Sequence, residues 1–144
     1  MITIEFERIH LDAKIPVKVY DTDAGMDVAS VEDINIMPRH TVLVHTGLKV
    51  RIPKGHEIQV RSRSGLALKF GISVLNSPGT IDANFSGEIG IILRNNRDVS
   101  FFVTKGMRIA QLVVAQVPEI EIVEVDKIED VGRGSSGFGS TGTH

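Results

Sequence analysis

Arg61 to Lys69, RSRSGLALK, sets an arginine directly before a serine and a glycine. If a short helix opens there, Arg63 brings a planar guanidinium, Ser64 a hydroxyl and Gly65 an unobstructed backbone N–H toward one point. That set suits a phosphate, and it equally suits an ordinary capped helix. Asn76 to Phe85, NSPGTIDANF, joins a carboxamide at Asn76 to a turn forced by Pro78-Gly79. Flanks that fold back as a hairpin would hold their exposed backbone groups still, and a fixed donor and acceptor can read the edge of a base. Asp82 is the isolated carboxylate of this stretch. It is a candidate general base, or else a turn residue bonding nearby backbone. Phe85 reads most simply as core. Ala24 to Ser30, AGMDVAS, contains Gly25 and Asp27 and by itself reads as a turn between strands. Arg108 to Val114, RIAQLVV, is an apolar strand interrupted by Gln111, whose amide needs a partner or a ligand. Gly132 to Gly142, GRGSSGFGSTG, places Arg133 and Phe138 in a stretch otherwise of glycine, serine and threonine. Such a segment builds no core, yet the arginine can grip a phosphate and the ring can stack on a flat base. It is either a lid over a nucleotide or an idle terminus.

The elements that must position these groups are strands. Ile2, Ile4 and Phe6 alternate with polar residues, as do Leu48, Val50 and Ile52, then Ile58 and Val60, then Ile120 and Ile122. A period of two is that of a half-buried strand. Gly90 to Leu93, Phe101 to Val103 and Leu112 to Ala115 are short apolar runs of the kind a strand buried on both faces shows. Turn signals separate them at Met37-Pro38, Pro53-Lys54-Gly55, Ser77-Pro78-Gly79, Asn95-Asn96 and Lys105-Gly106. Many short strands at this spacing predict an all-β sandwich, jelly roll or barrel. The spacing predicts one helix, over Ser64 to Phe70, capped by serine and stopped by Gly71. Composition changes only after Val131, which divides the chain into a β domain over residues 1–131 and an arm over 132–144.

The bulk numbers narrow the partners. The chain has 144 residues, 42% of them hydrophobic, which is enough for one core and leaves no room for a second domain. A net charge of −2 gives no basic stripe for long nucleic acid, although a few local arginines suffice for a small anion. There is no cysteine, which fits a reducing compartment. The first ten residues lack a signal peptide's unbroken apolar run, and no stretch is long enough to span a bilayer. A cytoplasmic protein is expected. The five histidines show no metal-ligand spacing.

AGMDVAS, RSRSGLALK, NSPGTIDANFSGE, RIAQLVV and GRGSSGFGSTG, in this order, resemble the five motifs of the homotrimeric dUTP pyrophosphatases (dUTPases). The resemblance covers essentially the whole chain. It implies a distorted β jelly roll with one short helix and a flexible C-terminal arm. It further implies a homotrimer whose sites lie at subunit junctions, and Mg2+-dependent cleavage of dUTP to dUMP and pyrophosphate. Asp82 then matches the residue that activates the attacking water, with Asp27 in support. Arg63, Ser64, Gly65 and Gln111 match phosphate-binding positions. Asn76 and the backbone of Gly79, Thr80 and Ile81 match the uracil reader. Phe138 matches the aromatic that stacks on uracil, and Arg133 with Gly139, Ser140 and Thr141 the closing arm. The metal needs no protein cage, because magnesium binds through phosphate oxygens and keeps waters. Phe85 stands where the family commonly has a tyrosine under the deoxyribose, Met26 where tyrosine or leucine is usual, and Arg61-Ser62 where proline is common. A deoxycytidine triphosphate deaminase of the same fold would need a glutamate where this chain has Asp82. The rival of another class is a regulatory protein that keeps the fold and binds nucleotide or a partner without turnover, and retention of Asp82, Gln111, Arg133 and Phe138 argues against lost catalysis.

Overall fold

A computed structural model describes residues 1–144, and it is built of strands with one short helix. The strands are β1 (Glu5–Arg8), β2 (Gly25–Ala29), β3 (Ile34–Ile36), β4 (Thr41–His45), β5 (Leu48–Arg51) and β6 (His56–Arg61). After helix α1 (Ser64–Phe70) come β7 (Ile72–Val74), β8 (Gly79–Ile81), β9 (Gly90–Asn95), β10 (Phe101–Val103) and β11 (Arg108–Gln116). They pair antiparallel in four groups, β2-β11-β6-β8, β4-β9-β7, β1-β5 and β10-β3, as a distorted jelly roll. Alternation explains the shared core. Ile58, Val60, Leu112, Val28, Val44, Ile91 and Leu93 all turn inward from different groups into one cluster of 21 buried residues.

Register places the polar residues of the long sheet in a row. Gln111 lies opposite Asp27 on one side and Arg61 on the other, so the three share a face. The adjacent row, Met26, Leu112, Val60 and Gly79, faces the interior. A register shift between Arg108 and Ala110 adds one residue, the buried Ile109. This bulge reverses the phase of the strand, so Arg108 emerges on the face of Gln111 instead of pointing inward.

Helix α1 is fastened at its far end. Gly71 closes it in the left-handed conformation at φ 64°, as glycine permits without strain. Arg97, from the β9–β10 connection, donates to the carbonyls of Lys69 at 2.6 Å and Leu68 at 3.1 Å, and Asn96 donates to that of Gly71 at 2.9 Å. The buried Asn95 holds that connection by donating to the carbonyls of Ile36 and Val99. Movement of α1, and of the Arg63 to Gly65 segment that opens it, is thereby restrained.

Four expectations are corrected. AGMDVAS is no turn: Gly25–Ala29 is strand β2, because its backbone finds a partner in β11. Ile120 and Ile122 form no strand; alternation supplies a face but no sheet edge pairs with residues 117–131 in this chain, and both side chains are exposed. Pro78-Gly79 does turn the chain, through a cis Ser77-Pro78 bond, yet the flanks do not pair as a hairpin. β7 pairs with β9 and β8 with β6, so the turn crosses between sheets. The N-cap of α1 is Arg63, in extended conformation and without a side-chain cap bond, so the Ser64 hydroxyl is not consumed as a cap.

Candidate active site

The row on the β2-β11-β6 face is tied together by charge. Asp27 Oδ1 accepts from Arg63 Nε at 3.2 Å, and Arg63 Nη2 lies in ion-pair contact with Oδ2 at 3.2 Å. Arg108 Nη1 reaches the same Oδ2 at 3.1 Å, and Arg63 Nη1 donates to the carbonyl of Arg108 at 3.2 Å. Side-chain exposure is 22% for Asp27, 28% for Arg63 and 56% for Arg108, so the Asp27–Arg63 fork is the shielded part. Gln111 has found a partner as well, its Nε2 donating to the carbonyl of Ser62 at 3.0 Å. Its amide lies over Gly25, where a Cβ would come within 2.2 Å of Oε1. Gly65 is the opposite case. A Cβ there would meet no atom of the chain within 4 Å, which leaves open space beside Ser64. Val17, Val19, Asp23, Ala24, Asp27 and Gln111 border an adjoining open hollow of about 260 Å³.

A second, smaller hollow of about 130 Å³ gathers Asn76, Gly79, Thr80, Ile81 and Phe85 with Val60 and Glu88. The four residues expected to read the base, and Phe85, expected under the deoxyribose, therefore border one space. Gly79 provides clearance, since a Cβ there would lie 3.1 Å from Val60 Cβ and 3.2 Å from Asn76 Nδ2. Ser62 Oγ accepts from the N–H of Val74 at 2.9 Å, which fixes the strand leading to Asn76. Glu88 is held from behind by the N–H of Gly47 at 3.1 Å and by His45 Nδ1 at 3.2 Å, and Thr46 donates to the Ile89 carbonyl at 2.6 Å. Asp82 is exposed immediately after β8. The turn that follows is closed by its backbone carbonyl, which accepts from the N–H of Phe85 at 3.0 Å. The turn thus uses the backbone of Asp82 and not its carboxylate. Phe85 is not core as expected: it is 45% exposed, because the turn carries it out between the small hollow and a wider groove.

The two clusters share no residue, and the arm joins neither. Arg133, Gly139, Ser140 and Thr141 are exposed, and Phe138 is fully so. The arm's internal hydrogen bonds are local, Ser136 to Arg133, Ser140 to Gly137 and Gly142 to Gly139. At its base Asp130 accepts from the N–H groups of Gly132 at 2.7 Å and Gly134 at 3.1 Å. These two bonds hold its carboxyl below the usual carboxylate range. Sequence reasoning missed Arg108, Glu88 and the clearance role of Gly25. Arg108 carries a signal, being three residues before Gln111, but strict alternation assigns it to the wrong face; Glu88 and Gly25 carry none.

The model of the dUTPase family matches residues 12–142. The chain belongs to the dUTPase family. It is 52% identical over 136 residues to the deoxyuridine 5'-triphosphate nucleotidohydrolase of Picosynechococcus sp., covering 94% of this chain and 96% of that protein. The protein of the same description from Clostridium tetani is 49% identical, with 97% of each chain covered. Among solved structures, the dUTPase of Staphylococcus bacteriophage 80alpha with dUpNHpp superposes with a TM-score of 0.90 at 29% identity, over 98% of this chain and 99% of that one. A dUTPase variant from phage phi11 of S. aureus, described as revealing the coordination of a structural Mg(II) ion, gives 0.82 at 25% identity, over 89% and 99%.

Proposed function

We propose that the chain hydrolyses dUTP to dUMP and pyrophosphate. The observation that carries this is the small hollow: Asn76, Gly79, Thr80, Ile81 and Phe85 border one space beside an exposed Asp82, in a chain of the dUTPase family. Uracil offers an N3–H donor beside its O4 acceptor, and cytosine inverts that pattern. Fixed amide and backbone groups reject cytosine by leaving polar groups unpaired. The ring of Phe85 lies under the deoxyribose. Asp82 orients a water in line with the α-phosphorus and takes its proton; a bond from the water oxygen to phosphorus forms, the bond to the bridging oxygen breaks, and pyrophosphate leaves. Arg63, Ser64, Gly65 and Gln111 receive the phosphates, with Asp27 aligning Arg63. The open space at Gly65 lets an oxygen approach the backbone.

Magnesium fits this donor set through the substrate. Asp27 is committed to arginines, so phosphate oxygens and waters would hold the ion, with Asp82 as the neighbouring carboxylate. When bound it neutralises the charge that repels the nucleophile. The arm, residues 132–144, closes over the site with Arg133, Ser140 and Thr141 on the γ-phosphate, Gly139 giving the turn and Phe138 stacking on the base.

The functional unit is a homotrimer. Two observations support this: the base hollow and the phosphate cluster are bordered by separate residues, and Ile120, Ile122, Val125, Ile128 and Val131 stand exposed between them and the arm. Apolar side chains in such a run are covered at an interface. The cytoplasm is the proposed setting; no helix is long and apolar enough to cross a membrane. Pyrophosphate release with magnesium, measured on dUTP, dCTP, dTTP and UTP, tests the activity. Turnover of dUTP alone is expected, and equal turnover of dCTP would overturn the base reading. Light scattering should give three times 15.7 kDa; a fully active monomer would refute the shared site.

A further inference from the structure

Gly87 lies two residues beyond Phe85, and its backbone makes no demand for glycine, since its φ is outside the left-handed region. Its demand is for room. A Cβ there would lie 2.8 Å from Cζ of Phe85 and 3.2 Å from Cε2, well inside the roughly 3.5–4.0 Å at which carbons rest against each other. The ring of Phe85 therefore rests on the bare backbone of Gly87. On one side the ring borders the small hollow with Asn76 and Thr80; on the other it borders an open groove of about 510 Å³ beside Phe6, Lys49 and Arg51.

We propose that Gly87 is a positioning residue for sugar selectivity: it lets the Phe85 ring lie where it excludes a 2′-hydroxyl. This rests on the reading of Phe85 as the deoxyribose contact. With no tyrosine hydroxyl to anchor the ring, its position depends on what it packs against, and the glycine is the floor. A methyl group at 87 is accommodated at little cost to the fold, because the clashing atoms are the far end of a half-exposed side chain with the groove to turn into. The ring moves off the sugar, and room for a ribose opens.

The test is a double-mutant cycle with Gly87→Ala, Phe85→Ala and both together, reading kcat/KM for UTP and dUTP, calorimetric binding of UMP and dUMP, and the melting temperature. Gly87→Ala should raise the UTP to dUTP ratio by roughly tenfold or more, raise UMP affinity relative to dUMP, and leave melting almost unchanged. In the Phe85→Ala background the same substitution should add nothing. If Phe85→Ala relaxes selectivity and Gly87→Ala does not, Gly87 has no positioning role and the Phe85 reading stands. If Phe85→Ala leaves selectivity intact, the Phe85 reading itself is wrong and the role of Gly87 goes with it. Should Gly87→Ala unfold the protein, rescue of melting by Phe85→Ala supports the contact, and equal instability of the double variant refutes it.

Discussion

Asp27→Asn conserves shape and removes the charge at the centre of the β2-β11-β6 face. Asp27 accepts two N–H groups, Arg63 Nε on Oδ1 and Arg108 Nη1 on Oδ2, and Arg63 Nη2 makes a further ion-pair contact with Oδ2. An asparagine has a single acceptor oxygen. In its better orientation that oxygen keeps the two contacts at Oδ2, and the amide nitrogen then faces Arg63 Nε, donor against donor. One charge-assisted hydrogen bond, worth about 1.5–3 kcal/mol, is lost outright. The two contacts that remain weaken with the carboxylate charge. Against this stands relief of the desolvation cost of burying one ion, the carboxylate, while Arg63 stays charged, and side chains 22% and 28% exposed are partly screened. The balance is about 2 kcal/mol, or roughly 6 °C in the melting midpoint of a domain this size, measured at fixed concentration because assembly contributes. Arg63, released from its fork, no longer presents a fixed face to the phosphates, and kcat/KM for dUTP should fall by about ten- to a hundredfold. Arg108→Ala removes one contact from a side chain 56% exposed and should cost less than about 1 kcal/mol. Unchanged melting and turnover in Asp27→Asn, or a larger loss in Arg108→Ala, would refute the view that Asp27 aligns Arg63.

Asp82→Asn should slow dUTP hydrolysis by roughly 10²- to 10⁴-fold with dUTP binding preserved; rapid turnover measured by pyrophosphate release would show that another group activates the water. Ending the chain at Val131 should abolish most activity while circular dichroism melting and the assembly mass stay the same, since the deleted residues pack against no core; full activity in that truncation would leave the arm idle. Gly25→Ala should displace the Gln111 amide from the carbonyl of Ser62, because the new Cβ would meet Oε1 at 2.2 Å. The expected result is kcat/KM lowered about tenfold or more and a loss matching Gln111→Ala; a Gly25→Ala enzyme with normal kinetics would mean that Gln111 is not needed where it lies.

Period-two alternation, turn residues and one short apolar run with glycine after it made the strands and α1 legible, because each is a local property of the backbone. The five polar stretches could be picked out for the same reason: residue type alone says that a guanidinium can hold a phosphate and a carboxylate can hold a proton. Which stretches meet could not be read that way. Asp27 faces Gln111 because β2 pairs with β11, and Arg108 joins them because one bulged residue, Ile109, reverses the phase of the strand. Asn76 and Gly79 share a hollow with Phe85 because β7 and β8 enter different sheets at Pro78. The alternation at Ile120 and Ile122 shows the limit from the other side: a pattern states which face a strand would bury, and only a pairing edge makes it a strand. The glycines divide along the same line. Gly71 is demanded by its own φ and is visible as a helix stop, whereas Gly25 is demanded by the Gln111 side chain that β11 lays across it, and Gly87 by the direction that the turn gives the ring of Phe85.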